Sequence, residues 1–187
     1  PIFMGMALVA KPFIISLLGI KWVDAAPILQ LLCLGGLFAS LDSSNGDLLR
    51  VKGKSGKILS FEIFKNVLMF IVIGLFLIFK FNYLYMIAGL SLTHLIKYIA
   101  TSYFTNKHIN YKTAELIRDL SPYIVVALFS ILCGYGLTYV IDNQLLLLIA
   151  QIALVGCLYI SILYFAGSKI VREAFYVVKR QLTRNKK

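Results

Sequence analysis

Four places in otherwise apolar stretches carry residues able to do chemistry. His94, Lys97 and Thr101 recur at spacings of three and four, so on a helix they share one face. Such a face either lines a proton- or substrate-binding cavity, or is an inward-snorkelling lysine beside a histidine hydrogen-bonded between helices. Lys11 stands directly before Pro12, and a mid-helix proline removes a backbone bond and kinks the helix. A charge on a broken helix builds a central site or simply reaches for the interface. The run Ser40, Asp42, Ser43, Ser44, Asn45, Asp47 is polar all round, with Ser40, Ser44 and Asp47 on one side. Its carboxylates line the mouth of a cavity or pair with the basic loop that follows. Glu62, Lys65 and Asn66 share a face one turn below Arg50, Lys52, Lys54 and Lys57. That cluster suits a diphosphate headgroup through charge-assisted hydrogen bonds, or ordinary anionic lipid.

Enzyme signatures are missing. The sequence has no HExxH, GxSxG, P-loop or DxD pair on a polar loop. Cys33, Cys133 and Cys157 lie far apart without a CxxC pair or a histidine at ligand spacing, and read as small packing residues. No metal and no cofactor is expected.

The elements that position these residues must lie in a membrane. Of 187 residues, 60% are apolar and 14% charged, with a mean hydropathy of +0.85, which excludes an ordinary soluble domain. A span needs about 20 mostly apolar residues, and six such stretches occur: 2–18, 26–47, 59–79, 83–103, 120–141 and 144–167. Ser121 before Pro122 reads as an N-cap followed by a first-turn proline. The expected class is an all-α integral membrane protein with six transmembrane helices.

The basic residues orient it. Fifteen of nineteen Lys and Arg fall on one side, in the second connection and the first turns of the helix after it, the 104–119 loop and the tail; Lys21 and Lys80 face the other. Basic residues are retained in the cytoplasm, so both ends are expected there, with Trp22, Tyr83, Tyr85 and Tyr139 in the outer aromatic belt. The net charge of +11 then meets anionic phospholipid, and nucleic acid is not needed as a partner. In the tail, 168–187, Val171, Ala174, Phe175, Val178 and Leu182 recur at helical spacing, as in an amphipathic helix lying in the membrane plane. The 104–119 loop does the same more weakly.

Several segments are more specific. Ala10-Lys11-Pro12, Leu18-Gly19-Ile20-Lys21-Trp22, Asp24-Ala25-Ala26 and Leu29-Gln30-Leu31-Leu32, then Leu49-Arg50-Val51-Lys52-Gly53-Lys54 and Asn66-Val67, resemble a known family. They look like the polysaccharide exporters and O-antigen-type lipid-linked oligosaccharide flippases of the multidrug/oligosaccharidyl-lipid/polysaccharide superfamily. The resemblance runs from Pro1 to His108. It implies the second, C-terminal lobe of a MATE-like transporter, with an N-terminal lobe of the same chain missing from this sequence. It also implies alternating access in the bacterial cytoplasmic membrane and a lipid-linked glycan of the undecaprenyl diphosphate type as cargo. Glycan polymerase machinery would be a neighbour. Lys11, His94, Lys97 and Thr101 would then serve the cavity; Arg50, Lys52, Lys54, Lys57 and Lys65 would gather headgroups; Asp42, Asp47 and Glu62 would form an acidic mouth. Two other readings stay open. An ion-coupled multidrug exporter of the same superfamily wants deep carboxylates, and a membrane-embedded glycan polymerase or ligase wants a large outer loop.

Overall fold

The computed structural model describes residues 1–80, 82–109 and 113–166. The amphipathic tail and Lys112 lie outside the described residues, as does the end of the sixth predicted span. Six α-helices follow one another: α1 Ile2–Leu18, α2 Ala25–Val51, α3 Ser55–Phe79, α4 Tyr83–Ile109, α5 Thr113–Gly136 and α6 Gln144–Phe165. Short 3-10 turns at Ile20–Trp22 and Leu137–Tyr139 complete the described elements, and no strand occurs among them. Five helices are long and apolar enough to cross a membrane. The 17 residues of α1 sit at the lower limit of that length. This is a multi-pass membrane protein.

The turns have local causes. Gly19, at φ +90°, stops α1 with its N–H bonded to the Ile15 carbonyl, a backbone conformation open mainly to glycine. At the end of α2, Gly53 takes φ +69°. Its N–H bonds Arg50 O at 2.9 Å while Lys54 N–H bonds Leu49 O, also at 2.9 Å. This is a Schellman motif, and it starts α3 within two residues. Asn143 caps α6, its Oδ1 accepting from Leu145 N–H and Leu146 N–H at 3.0 and 3.3 Å.

Side by side, the helices run α3, α4, α2, α1, α6, α5, with α1 also touching α5. Small residues set the close approaches, as expected where lipid offers no hydrophobic drive between helices. A Cβ on Gly35 would stand 3.3 Å from the Ser91 backbone, and one on Gly134 would stand 2.6 Å from Val155 and 2.9 Å from Leu8. The outer surface is apolar. α3 buries none of its residues, while Trp22, Tyr83, Tyr85 and Tyr139 are all exposed.

Several expected boundaries move. α2 extends four residues beyond 47, α3 starts four before 59, α4 runs six past 103, and α5 begins seven before 120. Lys107 and Arg118 therefore sit on helices rather than in a loop. Apolar runs mark the hydrocarbon core, whereas helices continue into the headgroup layer with charged side chains. The N-cap reading of Ser121-Pro122 fails, because Pro122 lies inside α5. Its missing N–H would have bonded the Arg118 carbonyl, and Ser121 Oγ donates to that oxygen instead at 2.8 Å. Pro12 does not break α1 either, since the helix runs through it. Gln30 Nε2 reaches Ala7 O at 3.2 Å, next to the Leu8 carbonyl deprived of its usual partner.

Candidate functional site: an ion-pair cluster among three helices

The spacing of three and four along α4 turns Ser91, Lys97, Thr101, Ser102 and Thr105 inward, all buried. On α2 the same periodicity buries Asp42, Asn45 and Leu49. The two faces meet as a polar ladder. Ser91 Oγ donates to Leu31 O at 2.7 Å, and Asn45 Nδ2 donates to Ser102 Oγ at 2.8 Å. Between those rungs Lys97 Nζ stands 2.7 Å from Asp42 Oδ2, while Thr101 Oγ1 donates to Asp42 Oδ1 at 2.5 Å.

From the other side α3 delivers Glu62, one oxygen of which pairs with Lys97 and the other, at 3.0 Å, with Lys65. Lys97 thus ties a carboxylate of α2 to a carboxylate of α3. It is 7% exposed and Asp42 8%, whereas the Glu62 side chain is 41% exposed. Two positive and two negative charges balance. Pairing offsets the large desolvation cost each would carry alone in a membrane. Beside the cluster lies a cavity of about 210 Å³, lined by Asp42, Glu62, Lys65, His94 and Lys97 with Arg50 at its edge.

His94, Lys97 and Thr101 of the cavity set and Asp42 and Glu62 of the acidic set are therefore one constellation. Lys97 is not a bare cation, because Asp42 and Glu62 lie at its own level. Asp47 instead points outward and pairs with Arg50 at 3.0 Å, both well exposed, and Ser40 and Ser44 are exposed as well. Lys11 is exposed on α1 and does not line the cavity. Lys52 is exposed, while Lys54 and Lys57 extend over the Phe104 ring at 5.6 and 5.8 Å from its centroid. Asn45 stood in the polar run of the sequence reading, but Ser91 and Ser102 were not picked out. Their signal is the α4 periodicity carried on to small hydroxyl residues, which hydropathy reads as neutral.

A second cavity, of about 540 Å³, opens among α1, α5 and α6. Its lining is mostly apolar, with Tyr159 and with Gln151, whose amide donates to Gly134 O at 3.1 Å, as its polar side chains. Among the described residues no set of three His, Cys, Asp or Glu can hold a metal. The groups the cluster presents are ammonium donors and carboxylate acceptors, the two halves of charge-assisted hydrogen bonds.

Two curated proteins match part of the chain. One is the lipopolysaccharide biosynthesis protein WzxC of Escherichia coli strain K12, 37% identical over 76 residues, or 40% of this chain and 15% of that protein. The other is an uncharacterized membrane protein in the cps region of Klebsiella pneumoniae, 37% identical over 54 residues, or 29% of this chain and 11% of that protein. Part of this chain is related to membrane proteins of polysaccharide biosynthesis. That relation supports the polysaccharide exporter family over the matched stretch. The matches span well under a fifth of either relative's length. No family model and no solved structure matches.

Proposed function

We propose that the chain is part of a bacterial exporter that carries a lipid-linked oligosaccharide or polysaccharide precursor across the cytoplasmic membrane by alternating access. The observation that carries this reading is the cluster itself. Two lysines within membrane helices, Lys97 and Lys65, converge on one half-exposed carboxylate beside a cavity. Lysines positioned in this way bind a phosphate-type headgroup by charge-assisted hydrogen bonds, and such a group joins a glycan to its lipid. The partial kinship with WzxC supports the same cargo class. The crowding of Arg50, Lys52, Lys54 and Lys57 at the junction of α2 and α3 supports a cytoplasmic entrance there, and both ends on that side. The facing wall of the pathway belongs to a second lobe.

The test is export in the bacterium that encodes the protein. Lys97→Gln is expected to abolish surface glycan while protein level in the membrane is retained; full export by that variant removes Lys97 from the mechanism. Asp42, a carboxylate buried within a membrane helix, favours one second reading, an ion-coupled multidrug exporter. Under it Asp42→Asn stops drug efflux and leaves glycan at the surface unchanged.

A further inference from the structure

The two carboxylates of the cluster are held very differently. Asp42 is buried on α2, with one oxygen on Lys97 and the other taking the Thr101 hydroxyl. Both oxygens are occupied by groups of α4, the helix against which α2 packs. Glu62 is 41% exposed on a helix that buries none of its residues, and it reaches inward to lysines whose side chains are only 9% and 16% exposed. A carboxylate spanning two ammonium groups occupies the same donor set that a phosphate oxygen pair would use.

We propose that Glu62 is an internal plug: it fills an anion site made by Lys97 and Lys65, and a phosphate or diphosphate group entering the adjoining cavity displaces it. The inference deepens the export reading and rests on it for the identity of the cargo. The cavity of about 210 Å³ has the room of roughly seven liquid waters, enough for the phosphate moiety and not for a glycan. Displacement is feasible in charge terms. With Asp42 still on Lys97, a dianion in place of Glu62 takes the cluster from neutral to one net negative charge, which Arg50 in the cavity lining can offset. Asp42 stays on Lys97 and keeps α2 and α4 together throughout. The exchange loosens only α3, which packs mainly on α4.

The plug makes a counter-intuitive prediction, namely that removing an interaction tightens binding. An internal competitor that fills the site nine-tenths of the time lowers apparent affinity about tenfold. The full chain, in phosphatidylcholine nanodiscs, is titrated with inorganic pyrophosphate and, in a separate arm, prepared with phosphatidic acid in the disc; binding is read by phosphorus NMR. Glu62→Gln is expected to bind about tenfold tighter or more, and Lys65→Gln to lose binding. Glu62→Asp keeps the charge on a stem too short to bridge both lysines, and is expected to bind tighter by a smaller factor. It decides the matter if Glu62→Gln does not fold. Unchanged or weaker binding in the folded Glu62 variants overturns the plug, as does the absence of binding in every variant. Tightening in the pyrophosphate arm alone assigns the site to a soluble anion, and tightening in the phosphatidic acid arm assigns it to a membrane-anchored headgroup. Export reports separately. Tighter binding by Glu62→Gln together with full surface glycan in cells lacking the protein keeps the plug and removes the export reading, whereas unchanged binding together with loss of surface glycan in those cells does the opposite.

Discussion

Lys97 of α4 and Asp42 of α2 stand 2.7 Å apart, each less than a tenth exposed, and their pairing joins the two helices at the centre of the polar ladder. Removing one partner of a buried pair leaves the other uncompensated, which costs about 3–5 kcal/mol. Asp42→Asn is therefore expected to lower the unfolding free energy by that order in detergent. The double variant Asp42→Asn with Lys97→Gln should lose less than the sum of the two singles, with a coupling of roughly 0.5–3 kcal/mol. Simple additivity in thermal unfolding would show that the two residues do not interact.

Gly134 is packed from two sides, by Val155 and Leu8. Adding one methyl group there is expected to cost about 1–3 kcal/mol through overpacking. Combining Gly134→Ala with Val155→Ala should recover part of the loss. A Gly134→Ala protein as stable as the parent would mean that α5 and α6 can separate without penalty.

Gly53 holds the turn between α2 and α3 at φ +69°. Gly53→Ala places a Cβ in the left-handed region at about 1–2 kcal/mol, and Gly53→Asn should cost less because asparagine tolerates that region better. Thermal unfolding of the two variants checks the order. Equal stability of alanine and asparagine would contradict the turn geometry.

Lys54 and Lys57 share the Phe104 ring at the basic end of the bundle. Each is expected to contribute about 1 kcal/mol to association with anionic headgroups, a factor of roughly five. Lys54→Gln and Lys57→Gln should each reduce the anionic lipid retained in native mass spectrometry by about that factor, and salt should reduce it in the parent. Unchanged retention in both variants would leave the lysines only a packing role against Phe104.

Where charge sits within an apolar run, the sequence is informative. Hydropathy alone places six helices, and the spacing of His94, Lys97 and Thr101 puts them on one face of α4. It could not say that Asp42 and Glu62 come level with Lys97. That depends on how far each helix runs past its apolar stretch and on the relative slide of three helices, which small residues such as Gly35 and Gly89 set through contacts distant in sequence. The exposed position of Lys11, away from the cluster, was hidden for a related reason. A proline beside a charge marks a broken helix only when neighbours do not support the chain, and here α1 continues through it. The outward turn of Asp47 was equally hidden, because a run that is polar all round gives no preferred face.

Because α1 packs against α6 as well as α2, the earliest and the latest of the described helices are neighbours. A ribosome delivers α1 to the membrane long before α6 exists, so the α1 face that α6 later covers spends that interval against lipid or an insertion chaperone. Assembly of α1, α5 and α6 thus waits for the synthesis of α6, whereas the α2 to α4 cluster can form before α6 emerges. A nonsense change ahead of α6 would leave the ion pairs intact and the bundle open along α1.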